Sequence, residues 1–262
     1  MKRWQRRSEA TSTKIGQMTP QAPRQGNTTP DEQAAGVAFG RVYSGLRSED
    51  RALERRGRLI EAGIEVFGTI GYAASKIKTL CQSAGLSERY FYESFASREQ
   101  LLTSVYDHLS SELMRQVVHV TRLPGRTLTE SVRAGMETVV NFNLVDPRHA
   151  QIILVEIVGI SPELEAKRHH SMTKFAAESS RLVLLLGGVD SESAEDASDE
   201  DDSLADVFEL ARLTGVAMVG GVNNMLLDAL RGGTTANTKQ ITEAAYQLIS
   251  NASTGVRVLA GK

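Results

Sequence analysis

The chain has 262 residues, enough for one or two domains, with 41% hydrophobic and 24% charged residues, ordinary proportions for a globular protein. No uninterrupted apolar run approaches the ~18 residues of a membrane span, and the single cysteine, Cys81, excludes an internal disulfide and any cysteine-built metal site. The net charge of −2 conceals two segments of opposite sign.

Residues 1–48 carry Pro20, Pro23 and Pro30, much Ser, Thr, Gln and Gly, and few large apolar side chains, so a disordered extension is expected. Within 1–25, Lys2, Arg3, Arg6, Arg7, Lys14 and Arg24 face Glu9 alone, a net charge of +5. No apolar core or small-residue cleavage site follows the basic start, so a cytoplasmic location is expected and no secretory signal. The extension is either a solvated leader or a basic arm that touches nucleic acid.

From Arg51 to about Thr69 the spacing predicts a helix with Leu53, Ile60, Ile64 and Phe67 on one face. Ile77, Leu80, Cys81 and Ala84 fall at i, i+3, i+4 and i+7, a short amphipathic helix. Leu102, Val105, Tyr106, Leu109 and Leu113 mark another, from Glu99 to about Thr121. Pro124-Gly125 and Gly232-Gly233 read as breaks. Asp146-Pro147 and Ser161-Pro162 each read as an N-cap followed by proline at the first helical position. Between 190 and 206 nine acidic residues occur without a basic one, just after Gly187-Gly188, so an acidic linking loop is expected at 189–203. Two long helices with apolar sides, about 203–231 and 237–253, close the chain. With no convincing period-2 alternation, the fold class is all-α, about nine helices.

The stretch from Ser75 to Phe95 is the most informative. Gly85 suits a left-handed C-cap, Leu86 fills the angle between two short helices, and Ser87 is placed to cap the second. Phe91 and Phe95 at i, i+4 pack inward, leaving Glu88, Arg89, Tyr90, Glu93 and Ser94 outward. Two short helices about a glycine turn, the second with a polar outer face, form a helix-turn-helix whose second helix can enter the major groove.

Here the sequence resembles the TetR/AcrR family of transcriptional regulators. The resemblance rests on Ala62-Gly63 through Phe67, Gly71-Tyr72-Ala73-Ala74-Ser75, Ala84-Gly85-Leu86-Ser87, Phe91-Tyr92, Phe95, Ser97-Arg98-Glu99 and Leu101-Leu102. It covers roughly 52–112, and more weakly extends to 215–221 and 226–230, which look like the family's dimerisation helix. It implies a homodimer with a DNA-binding head at 52–112 and a ligand-binding and dimerisation body at 113–262. It further implies that Ser75 bonds a phosphate, Arg89 and Tyr90 meet base edges, Tyr92 reaches the backbone, and Ser94 stands where the family often has histidine. Arg98, where lysine is common, would pair with a phosphate. Lys76 and Ser87 complete the set expected at the DNA. Glu88 either accepts from a cytosine amino group or serves the dipole of its helix. Over 51–115 nine basic residues exceed eight acidic ones, a weak electrostatic footprint that a basic arm would supplement.

Elsewhere, Met114, Met136, Phe142, Glu156, Met172 and Phe175 are candidates for lining a ligand pocket, and core packing would use the same apolar residues. Glu156 is either a buried anion facing a cationic effector or an exposed side chain. Phe208, Gly215, Met218, Val222 and Leu226, with Ile241, Ala245 and Leu248, are expected at a two-fold interface. Cys81 reads as a packed, inert thiol. Adjacent His169 and His170 point about 100° apart on a helix and cannot share a metal. No GxxxxGK[ST], GxSxG or HExxH occurs, so neither an enzyme nor a cofactor is expected. The expected function is a sequence-specific DNA-binding regulator, a repressor released from a near-palindromic operator by a small apolar effector. The competing reading is a sequence-tolerant DNA-organising protein without an effector.

Overall fold

The computed structural model describes residues 30–189 and 202–261. The order is α1 (Pro30–Thr69), α2 (Ile77–Ala84), α3 (Glu88–Ser94), α4 (Arg98–Thr121), α5 (Leu128–Leu144) and α6 (Pro147–Gln151). A π-helical turn (Ile152–Glu156) follows, then α7 (Pro162–Gly187), α8 (Asp202–Leu230) and α9 (Thr238–Leu259). The described residues contain no strand, as the 3.6-residue period predicts.

The chain divides between Glu49 and Asp50 into two units. Residues 30–48, expected to lack structure, are helical in backbone, because α1 begins at Pro30. The basic segment 1–25 and most of the acidic loop lie outside the described residues. The boundary expected near 112 falls inside α4, which runs unbroken to Thr121. Head and body of the second unit therefore share a helix.

Helix ends follow their local chemistry. Ser97, Asp146 and Ser161 cap α4, α6 and α7 through side-chain oxygens, with Pro147 and Pro162 at the first helical turn. Thr127 with Glu130 and Asn237 with Gln240 form reciprocal capping boxes on α5 and α9. Ser87 precedes α3 in an extended conformation, but its hydroxyl makes no cap bond.

Two apolar cores form. The head core gathers Leu59, Phe67, Leu80, Phe91, Phe95, Leu101, Leu102 and Val105, and continues into Ile152, Ile157 and Leu164. Leu53, expected inside, is 68% exposed, and Leu59 takes the inward position. The body core runs from Val132, Met136 and Val140 through Leu182 and Val183 to Val222, Leu226, Ala245 and Ile249. Helix α7 packs along α8 and α9, and α5 lies between α4 and α9. The segment Ala205–Leu230 is by length and composition apolar enough to cross a membrane. Here its inward side packs into the body core through Val207, Ala211, Met218, Val222 and Leu226.

Candidate nucleic-acid interface

Helices α2 and α3 meet at Gly85, whose backbone is left-handed at φ 61°, ψ 38°. The Leu86 N–H donates to the Cys81 carbonyl at 2.9 Å and the Gly85 N–H to Gln82, which closes the turn. Buried Leu80, Cys81 and Ala84 hold α2 against the head core, and Phe91 holds α3. Burial, with the nearby Glu88 charge second, pushes the Cys81 thiol up from its ordinary value, so it stays protonated and inert.

Three arginines of α1 fix this pair of helices. Arg58 Nη2 donates to the carbonyls of Ala84 (2.6 Å) and Gly85 (3.1 Å), at the C-terminus of α2. Arg56 Nη1 donates to the Ser94 carbonyl at 2.8 Å, at the C-terminus of α3, and its guanidinium lies 4.2 Å from the Phe95 ring centre. Arg55 stacks over Tyr90 at 4.7 Å and lies 3.8 Å from Glu93. Cations at helix C-termini meet the negative end of the dipole and its open carbonyls. Sequence reasoning counted these arginines only as charge facing DNA. No local signal marks them as staples, since their partners are remote in the chain.

The outer face of α3 carries Glu88, Arg89, Tyr90, Tyr92 and Glu93, all exposed, with Lys76 and Ser87 exposed beside it and Ser94 half-buried. The Arg89 side chain is 85% exposed, and its Nε donates to Glu93 at 3.0 Å. Glu93 thus accepts from Arg89 and sits beside Arg55, so α3 carries a small charge network rather than lone charges.

Two of the residues expected at a phosphate form their bonds within the head. Ser75 is 4% exposed, and its hydroxyl donates to the Tyr72 carbonyl at 2.7 Å. Arg98 Nη1 donates to the Tyr72 carbonyl (2.8 Å), to the Ser75 carbonyl, and to Ser75 Oγ (2.9 Å). Its guanidinium also lies 4.7 Å from the Tyr72 ring centre. Arg98 therefore ties the α1–α2 loop to the start of α4 through loop carbonyls that accept its guanidinium.

Glu156 is neither a buried anion facing a ligand nor simply exposed. Its carboxylate accepts from the Tyr72 N–H at 2.7 Å and from Gln151 Nε2 at 2.6 Å. Gly71 makes room for it: the backbone there is left-handed at φ 85°, and a Cβ would stand 3.2 Å from both carboxylate oxygens. The π turn that carries Glu156 also sends Ile153 and Leu154 to the wall of a body cavity.

That cavity, about 250 Å³, lies among α4, α5, the π turn, α7 and α8. Of the expected pocket residues, Met136, Met172 and Phe175 line it. Met114 is half-buried outside it, Phe142 packs on the head core and stacks on His149 at 4.5 Å, and Glu156 serves the head loop. Tyr106, Leu113, Val117, Asn143 and Leu182 line it without having been expected at a pocket. Burial pushes the Tyr106 phenol up, against bonds to Ser171 and Ser110, so it faces the cavity neutral.

The expected interface set divides in two. Met218, Val222, Leu226, Ile241 and Ala245 are buried inside the body, and Phe208 packs partly against the same core. Gly215 permits close approach, but to α7 of its own chain, where a Cβ would clash with the Ala176 carbonyl and Ser180 Oγ. Leu248 stays exposed, together with Leu213 and Val216 of α8. A 3.6-residue stripe of apolar residues marks burial without saying which chain supplies the cover, and here the chain's own core took most of it.

Fold and site together define an all-helical protein with a helix-turn-helix head on a larger helical body. Residues 59–105, most of the head, match the model of the bacterial regulatory proteins of the tetR family. The HTH-type transcriptional activator FasR of Mycolicibacterium smegmatis is 29% identical over 117 residues, 44% of this chain and 52% of that protein. The chain thus spans about half the length of this curated relative. A transcriptional regulator from Rhodococcus superposes with a TM-score of 0.60 at 16% identity, over 76% of this chain and 96% of that one. The fatty acid degradation regulator FadR of Bacillus halodurans does so with a TM-score of 0.60 at 14% identity, over 75% and 94%. The likeness in fold extends through the body.

Proposed function

We propose that this protein is a sequence-specific DNA-binding transcriptional regulator of the cytoplasm, non-enzymatic, whose body senses a small, largely apolar effector. The observation that carries the reading is the rigidly stapled α2–α3 pair, which presents Arg89, Tyr90, Tyr92, Lys76 and Ser87 outward from a buried base. A homodimer would set two such helices into successive major grooves about 34–36 Å apart, on a near-palindromic operator. Exposed Leu213, Val216 and Leu248, with Gly220 open beside them, support a two-fold interface of α8 and α9. A stable interface of this kind covers roughly 1,600 Å². The largely apolar cavity supports an effector that repositions the heads by binding one arrangement more tightly than the other.

Selection of bound sequences from random DNA tests the reading. A near-palindromic motif bound on the order of 10³-fold or more above non-cognate DNA is expected. Uniform enrichment would replace it by the DNA-organising reading. Light scattering at micromolar concentration should give a dimer, and a monomer would remove the paired-groove geometry. We assign the default action as repression. The activator name of FasR favours a second reading, activation, and a reporter carrying the selected motif separates the two by the sign of its response.

A further inference from the structure

On α5, Met136, Val139 and Asn143 stand at i, i+3 and i+7, one face of the helix, and all three line the body cavity. Asn143 is 2% exposed. Its Nδ2 donates to the Val139 carbonyl at 2.9 Å, which fixes the amide's orientation, since a carbonyl can only accept. Its Oδ1 is buried and receives no donor. Other polar groups of the wall are matched: Tyr106 with Ser171 and Ser110, Glu178 with Arg181 and Arg122, and Arg168 with Glu165 and the Met172 sulfur. Among the described residues, the other buried side-chain atom without a partner is Arg55 Nε, in the head. Folded interiors seldom leave a buried acceptor unmatched without a use for it. An unmatched acceptor held just beneath the wall of a largely apolar cavity complements a ligand that brings a donor, reached by a small turn of the Asn143 side chain.

We propose that the cavity takes an apolar molecule bearing a neutral O–H or N–H donor, of the alcohol, phenol or amide class, seated on Asn143 Oδ1. The proposal rests on the cavity being the effector site and names the chemistry of that effector. A carboxylate would set acceptor against acceptor, and a bare hydrocarbon would leave Oδ1 unmatched.

The test compares 1-octanol, heptyl methyl ether and octanoate, of similar size, by calorimetric titration of the full chain without DNA. The alcohol should bind the parent about tenfold more tightly than the ether or the carboxylate, the usual scale for one buried hydrogen bond. Asn143→Leu, shown to be folded by its melting profile, should bind alcohol and ether within about twofold of each other. If Asn143→Leu does not fold, Asn143→Asp serves instead: it keeps an acceptor and should keep the preference for the alcohol over octanoate. Equal binding of alcohol and ether by the parent, no binding of the alcohol, or a preference surviving in the Leu variant would overturn the proposal. A parent that shows the alcohol preference yet selects no DNA sequence would overturn the regulator reading instead.

Discussion

The head and the body solve opposite problems with the same helices. The head fills its core with Phe67, Phe91 and Phe95 and turns its working groups outward, while backbone carbonyls at the ends of α2 and α3 are taken up by Arg58 and Arg56. The body leaves a cavity between Met136, Leu182 and Phe175, and keeps its exposed apolar groups, Leu213, Val216 and Leu248, on α8 and α9. A surface that reads a rigid polymer needs fixed side chains on a packed base. On the proposed reading, the body needs space that a ligand can complete. Where the two meet, Tyr72 is held from both sides: its N–H by Glu156 of the body and its carbonyl by Arg98 of α4.

This contrast is open to breakage. The largest effect is expected from Phe91→Ala, which hollows the filled head core and should cost ~3–5 kcal/mol of stability, abolishing DNA binding with it. Thermal or urea unfolding measures it, and a loss under ~1 kcal/mol would mean the head core can collapse around the gap. Arg98→Ala should lower stability by about 1–3 kcal/mol, chiefly through the Ser75 carbonyl, which loses its donor, while the Tyr72 carbonyl keeps the Ser75 hydroxyl and N–H. The slope of DNA affinity against log salt should stay unchanged. A slope shallower by ~0.9 would restore a phosphate contact to Arg98.

Arg89→Ala should do the reverse. Stability should hold within ~0.5 kcal/mol, while operator binding weakens by about 1–3 kcal/mol per half-site with base preference relaxed at one position. An unaltered sequence profile would move base reading to another side chain of α3.

The smallest expected effect concerns pH at the join. The Arg148 guanidinium, first through its hydrogen bonds, holds the Asp146 carboxyl below its ordinary value, and Arg148 also pairs with Glu65 of α1. A depressed carboxyl contributes stability that is complete above its unfolded pKa and disappears as pH falls through the folded value. The melting temperature should therefore fall on acidification below about pH 4 more steeply for the parent than for Asp146→Asn. Equal slopes would place the acid sensitivity elsewhere.

What could be seen in the sequence follows the same divide. The helix-turn-helix was legible because its signals are local: Gly85 at a left-handed turn, Phe91 and Phe95 one helical turn apart, and Ser97 capping α4. The roles of Arg55, Arg56 and Arg58 were not, since each side chain bonds a residue 26 or more positions away or stacks on one just as remote. In the body the 3.6-residue period correctly marked apolar faces on α8 and α9, but assigned Met218, Val222, Leu226, Ile241 and Ala245 to a partner that their own chain replaces.

By itself the sequence determined the all-helical class, the capped starts of α4, α6 and α7 and the face of α3 turned outward, because periodicity, capping and turn chemistry act over a few residues. Only the tertiary structure decided that Ser75 and Arg98 bond each other, that Glu156 grips the Tyr72 N–H, and that Asn143 lines a cavity with its Oδ1 unmatched. Each of these depends on which polar groups are brought within about 3 Å of one another, or left without a partner, when distant helices pack.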